Sequence, residues 1–315
     1  MRLQETRCFC LSHTMSSGLK LVRLFHVLSL WWTCYCGASI TEPKIARGRR
    51  VNHDQFPHAV IIVREQEVYT VHKKYIPQCG GSIIDRFWVL TAAHCLEGGR
   101  KYIAVRGSEH MDKFHDSNAV EDVWIIKSVI THPEIDLALL RTEYPLQLND
   151  SVTKVRLDLP GDNVSHWHEL EKYTNFTLVG SGETTEDFLP RWIQWTSVNL
   201  KESYCEKLFQ FIKDAFGERN YPNFFPTFYV NTKFLLCARV DDEQFSGLCP
   251  GDSGSGVIGY DHSGTPTLIG VYSGSYNNYD DNAKENEELD CGDERRIPIF
   301  VRISPFVDWI NLHCN

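Results

Sequence analysis

The chain has 315 residues, 42% hydrophobic, 12% aromatic and 23% charged. That suffices for the core of one large domain or two small ones, and it excludes low-complexity disorder and a collagen-like repeat. A formal net charge of −9 argues against a nucleic-acid partner, because phosphate contacts need a basic face. The count of 11 cysteines is high for a reducing compartment, and an odd number cannot pair completely within one chain.

At the N-terminus, Lys20 and Arg23 precede a largely apolar run from Leu24 to Tyr35, and Cys36-Gly37-Ala38 supplies small residues for cleavage. This is the pattern of a secretory signal peptide, and the run falls short of the roughly 20 residues needed to span a bilayer. Residues 1–38 are therefore expected to be an N-terminal extension and signal peptide, with Met15 a more typical start than Met1. The product is expected to be secreted and extracellular, with no membrane association once the signal is removed. Its loss takes away a net charge of +3, leaving about −12 from the −9 of the whole chain. It also removes Cys8, Cys10, Cys34 and Cys36, leaving Cys79, Cys95, Cys205, Cys237, Cys249, Cys291 and Cys314 in an oxidising compartment.

Beyond Ile45 the chain is dominated by short β-branched or aromatic runs bounded by Gly, Pro, Asn and Asp. Examples cover residues 59–63, 88–94, 123–130, 137–142, 176–182, 256–260 and 268–274. Such spacing points to an all-β barrel or sandwich. Helices are expected from Glu202 to Phe211 and in the tail from Pro305, where Phe306, Trp309 and Ile310 recur at helical spacing. No Gly/Ser linker separates two halves.

Three segments carry chemistry. Thr91-Ala92-Ala93-His94-Cys95 sets a histidine at a strand end, Asp136-Leu137-Ala138-Leu139-Leu140 sets an acid before an apolar strand, and Gly251-Asp252-Ser253-Gly254-Ser255-Gly256 sets a serine in a glycine-rich loop. Each alone reads as an ordinary core histidine, capping aspartate or polar turn. Together, in the order His, Asp, Ser, they resemble the chymotrypsin-like serine peptidase family across most of the span from Ile45 to Asn315. The resemblance implies two packed six-stranded Greek-key β-barrels with a C-terminal α-helix, and a serine endopeptidase that needs no cofactor. His94, Asp136 and Ser253 would be the catalytic residues, with the backbone N–H groups of Gly251 and Ser253 as the oxyanion hole.

The same resemblance pairs Cys79 with Cys95, Cys205 with Cys237 and Cys249 with Cys291. Two positions where the family often has a further bridge read Phe176 and Gly259, so both partners are missing together. Cys314 is left to be a free thiol or to pair with another chain or a retained propeptide. Ser273 matches the serine that hydrogen-bonds the triad aspartate. The tryptophan usual after it is Gly274, and Ser255 replaces a usual glycine.

Family members become active when a new N-terminal amine pairs with the acid beside the nucleophile, here Asp252. The family's spacing places that terminus at Ile45, after cleavage at Lys44 by a trypsin-like activating protease. Residues 39–44 would be a short propeptide and 45–315 the peptidase domain. Arg49-Arg50 is a decoy, since a terminus at Val51 would be too short to reach.

Gly247 stands where trypsin-like members carry an aspartate, and Leu248 follows it. An unpaired cationic side chain buried there would cost several kcal/mol. With Ser275 and Pro298 as further pocket walls, the expected P1 preference is apolar, chymotrypsin-like or elastase-like. Only two residues separate His132-Pro133 from Asp136, so the substrate groove is expected to be open on that side. Residues 280–294 hold eight acids and only Lys284, either a solvated loop or an acidic rim or metal-dependent loop. Asn149, Asn163 and Asn175 head glycosylation sequons. His166-Trp167-His168-Glu169 lacks any supporting metal-ligand spacing and reads as a surface loop, so no metal site is expected. The expected partners are peptide or protein substrates, the activating protease and protein protease inhibitors. The competing class is a catalytically weak or inactive homologue acting as a binding or regulatory protein.

Overall fold

The β-branched runs form strands. In chain order these are β1 (Arg49–Arg50), β2 (Ala59–Val68), β3 (His72–Asp85), β4 (Trp88–Thr91), β5 (Tyr102–Arg106), β6 (Val123–Thr131) and β7 (Ala138–Thr142). The second half supplies β8 (Arg156–Leu157), β9 (Tyr173–Gly180), β10 (Gln194–Leu200), β11 (Leu235–Val240), β12 (Gly256–Asp261), β13 (Pro266–Asn277) and β14 (Arg296–Arg302). The helices are α1 (Glu202–Phe216) and α2 (Val307–Cys314). This computed structural model describes residues 48–52, 54–68, 72–96, 101–106, 123–160, 167–182, 193–216, 232–240, 247–277, 293 and 295–314. The chain divides into Met1–Glu42 and Pro43–Asn315, and the first unit lies outside the described residues together with the expected signal segment, propeptide and Lys44–Ile45 junction.

Strands β2-β3-β4-β7-β6-β5 close into a barrel. Strands β9, β10, β11, β14, β13 and β12 follow the same order in a second sheet, and the β9–β10 pairing closes it. The expectation of two six-stranded antiparallel barrels is therefore met, with β1 added beside β10 and β8 running parallel to β13. Val60, Ile62, Ile83, Leu90, Ala104 and Leu139 are buried within the first barrel. Leu178, Val198, Leu236, Val257 and Phe300 are buried in the second. Ile61 and Val63 of β2 and Val105 of β5 pack with Val179 of β9 and Ile193, so the outer face of one barrel is covered by the other. Each of these Val, Ile, Leu and Phe side chains contributes roughly 1.5–3 kcal/mol relative to exposure.

Two strands carry prolines, which cannot donate to the ladder. Pro77 in β3 faces Val63 beside a register shift, and Pro298 in β14 faces Ser275 two residues from another. The expected strand at residues 88–94 ends at Thr91, and Ala93–Cys95 turns into a 3-10 helix. The helix from Glu202 runs on to Phe216 rather than stopping at Phe211. The tail enters α2 through a 3-10 turn, Ser304–Phe306.

Phe176 and Gly259, the positions of the missing bridge, face each other across β9 and β12. The Tyr173 ring lies over Gly259 in the space a side chain would occupy. Its hydroxyl donates to buried Asp158 (2.9 Å), which also accepts from Lys172 (2.7 Å). Burial and the neighbouring carboxylate push the Tyr173 phenol above its usual range. Aromatic packing thus fills the place of the bridge.

The surface-loop reading needs correction over residues 167–169, since residue 166 lies outside the described residues. His168–Lys172 is a 3-10 helix with Leu170 buried, and Glu169 pairs with Arg302, whose side chain is 4% exposed. A buried guanidinium needs a charged partner, and this acid supplies one.

Candidate active site

Strand β4 ends at Thr91, and the 3-10 turn after it carries His94 with 47% of its side chain exposed. Asp136 sits just before β7 with 11% exposed. Because β4 and β7 are paired, with Thr91 opposite Ala138, the two residues meet. His94 Nδ1 lies 2.8 Å from Asp136 Oδ2, and the His94 backbone N–H donates to Oδ1 at 2.9 Å. The Ser273 hydroxyl from β13 donates to Oδ2 at 2.5 Å, so the second barrel completes a site begun in the first. Burial alone pushes the Asp136 carboxyl up. The hydrogen bonds and charge of His94, with the Ser273 hydroxyl, outweigh it and hold the group below the usual carboxylate range. An ionised acid on Nδ1 leaves Nε2 as the nitrogen that can take a proton.

The two-residue gap before Asp136 is held by a residue that the sequence reading left without a role. His132 Nδ1 accepts the backbone N–H groups of Glu134 (3.2 Å) and Ile135 (3.1 Å). Its ring packs edge-on against Phe306 (5.4 Å) and Trp309 (4.9 Å), which ties the Asp136 loop to the C-terminal helix. Desolvation lowers the His132 pKa, keeping the ring neutral as its acceptor role requires.

The serine loop is held from both sides. Gly80 N–H donates to the Ser253 carbonyl (2.8 Å), Gly254 N–H to the Tyr272 carbonyl (2.8 Å), and Tyr272 N–H to the Ser255 carbonyl (2.9 Å). Gly251 and Gly254 adopt φ of +92° and +80°, a region that non-glycine residues rarely enter. A Cβ on Gly254 would also run into Thr91 Oγ1 and the Gly80 carbonyl, so the loop bearing Ser253 lies directly against the end of the His94 strand. Thr91 Oγ1 donates to that same Gly80 carbonyl at 2.7 Å.

Asp252 is fully buried. Its carboxylate accepts N–H bonds from Gly182 (2.7 Å) and Cys249 (2.9 Å). Burial pushes its pKa up to about 6, opposed by the backbone N–H groups of Cys249, Gly182 and Ser181. Gly180 and Gly182 leave the space it fills, for a Cβ on either would collide with the carboxylate.

Of the expected pocket residues, Gly247, Leu248, Ser273 and Pro298 are buried, while Gly274 and Ser275 are partly exposed. Ser275 faces Pro298 across β13 and β14. Cys79–Cys95 and Cys205–Cys237 are bonded as expected. Cys249 is buried, and Cys291 lies outside the described residues. Cys79, His94 and Cys95 lie close enough together to suggest metal ligation, but both sulfurs are spent in the disulfide. Cys314 is a half-buried free thiol, pushed up to about 12 by burial and by Asp85, which makes it a poor nucleophile. Asn149 and Asn175 are exposed, and Asn163 lies outside the described residues. Of the acidic segment 280–294 only Asp293 is described, bound to Arg295 through Nε (2.9 Å) and a terminal nitrogen (2.7 Å). Among the described residues no helix is long and apolar enough to cross a membrane.

Comparison with known proteins agrees with this geometry. The trypsin family's sequence profile matches residues 45–310. Ovochymase-2 of Mus musculus is 25% identical over 301 residues, covering 88% of this chain and 44% of that protein. Coagulation factor IX of Cavia porcellus is 26% identical over 281 residues, covering 84% of this chain and 80% of that protein. The chain thus spans less than half of the first relative and most of the second. Twin barrels, a histidine and an aspartate joined across β4 and β7, and a profile match over most of the length place it: the chain belongs to the trypsin family of chymotrypsin-like serine peptidases.

Proposed function

We propose that the chain is a secreted serine endopeptidase, made as a zymogen, that hydrolyses peptide bonds through an acyl-enzyme intermediate. The observation that carries this reading is the His94–Asp136 contact at 2.8 Å, with Asp136 also held by Ser273. Ser253 Oγ attacks the scissile carbonyl carbon while His94 Nε2 takes its proton, and Asp136 stabilises the imidazolium. The N–H groups of Gly251 and Ser253 receive the developing oxyanion. As the C–N bond breaks, His94 returns the proton to the leaving amine. Water then attacks the acyl ester, again through His94, and frees Ser253 and the carboxylic acid.

Activation by a trypsin-like protease at Lys44 would place the Ile45 ammonium against Asp252. The decoy argument gains support from β1, where Arg49 and Arg50 pair with Trp195 and Gln194, so cleavage after Arg50 would require strand opening. Peptide or protein substrates follow from membership of the trypsin family. Gly247 and Leu248 put no charge in the pocket, which favours an apolar P1 residue. A Cys249–Cys291 bridge and glycans on Asn149, Asn163 and Asn175 belong to the same proposal.

A fluorophosphonate probe tests it. Labelling is expected on wild-type protein processed to the Ile45 terminus and absent in Ser253→Ala treated in the same way. Asp136→Asn is expected to lower kcat by about 10⁴, the size of effect seen when the triad acid can no longer fix the histidine tautomer. A labelled Ser253→Ala protein would overturn the assignment.

A further inference from the structure

Two residues from which the substrate pocket is inferred, Leu248 and Ser275, share a neighbour to which the sequence reading gave no role: Tyr272 packs in one cluster with the first and bonds the hydroxyl of the second. Tyr272 lies one residue before Ser273, and its backbone N–H and carbonyl bond the Ser255 carbonyl and the Gly254 N–H. Its backbone is thus tied to the loop that carries Ser253. Its phenol oxygen lies 2.8 Å from Ser275 Oγ. The ring packs in one cluster with Leu248 and Phe300, its centroid 5.5 Å from that of Phe300. Ser275 faces Pro298, and the register of β13 against β14 shifts between Tyr272 and Gly274. Tyr272 is 3% exposed, Leu248 2% and Phe300 0%, so all three are packed away from solvent.

We propose that Tyr272 is a specificity-determining residue that fills the primary pocket, so that this peptidase accepts only a small P1 side chain such as alanine. The inference rests on the endopeptidase reading above and chooses within its apolar preference. An aromatic P1 ring would have to displace Tyr272, breaking the bond to Ser275 and separating the ring from Leu248 and Phe300. A methyl group needs no such movement. Pro298 stiffens the wall opposite Ser275, because its ring fixes φ and offers no N–H to a repositioned strand.

The test compares kcat/KM on otherwise identical chromogenic peptides with P1 Ala, Val or Phe, using processed wild type, Tyr272→Val and Tyr272→Phe, each titrated by fluorophosphonate labelling at Ser253. Wild type is expected to favour Ala over Phe by at least tenfold. Tyr272→Phe keeps the ring and is expected to keep that ratio. Tyr272→Val opens the pocket and is expected to raise the Phe rate at least tenfold while the Ala rate changes less. Labelled wild type that cleaves after Phe as well as after Ala overturns the assignment of Tyr272 while leaving the peptidase intact. So does a folded, labelled Tyr272→Val protein with an unchanged ratio. Absence of labelling in all three proteins overturns the endopeptidase reading itself and this assignment with it. If Tyr272→Val fails to fold, the wild-type ratio and its persistence in Tyr272→Phe decide the question.

Discussion

His94, His132 and His58 do different jobs, and surroundings rather than identity separate them. His94 is half exposed and bonded to an ionised acid, His132 accepts two backbone N–H groups, and His58 is 3% exposed with no partner for Nε2 among the described residues. Burial lowers the His58 pKa to about 4 from 6.5. A histidine depressed on folding contributes stability above pH 6.5 that is lost as pH falls toward 4, up to about 3 kcal/mol. His58→Phe should keep the edge contact with Phe56 and remove this loss. Thermal melts are expected to show wild type losing ground to the variant between pH 6.5 and 4; parallel curves would contradict the burial argument. Among single residues, His94, Asp136 and Ser253 were legible because local motifs surround them. Tyr272, His132 and the Glu169–Arg302 pair were not, since each draws its meaning from a partner that the fold brings close.

The strands that read most plainly are those that open on an unbroken apolar run, such as Ala59 to Val63 in β2 and Ala138 to Leu140 in β7. Strands β3 and β14 are harder to see because Pro77 and Pro298 interrupt them, and bulges accommodate both. Nothing in the run from Tyr173 to Gly180 says that its last glycine must make room for a carboxylate seventy residues on, yet Gly180 and Gly182 border Asp252. Gly180→Ala places a methyl group against that carboxylate. Overpacking of this kind costs about 1–3 kcal/mol, and displacing Asp252 should also disturb the Gly251–Ser253 loop. The variant is expected to melt lower and to lose most fluorophosphonate labelling. Full labelling at an unchanged melting temperature would show that Asp252 can move without consequence.

Across the whole molecule, the sequence made the two-barrel architecture and the family legible, while the electrostatic state of Asp252 needed the three-dimensional structure. In the full-length chain Asp252 is raised to about 6 from 3.8. A carboxyl raised on folding contributes stability below pH 3.8 that is lost as pH rises through about 6. The shift corresponds to about 3 kcal/mol. An Ile45 ammonium would lower the same pKa and reverse the sign, so the stability advantage of processed over uncleaved protein should widen between pH 4 and 6. Melts of the two forms that track each other across that range would contradict the proposed ion pair. The most direct test of the account joins both barrels, the triad and the activation step. Protein is cleaved with trypsin, its new terminus is read by mass spectrometry, and Ser253 is probed with a fluorophosphonate. The account predicts an Ile45 terminus and labelling at Ser253 that appears only with it; a confirmed Ile45 terminus with unlabelled Ser253 would contradict it and favour a binding protein built on a peptidase fold.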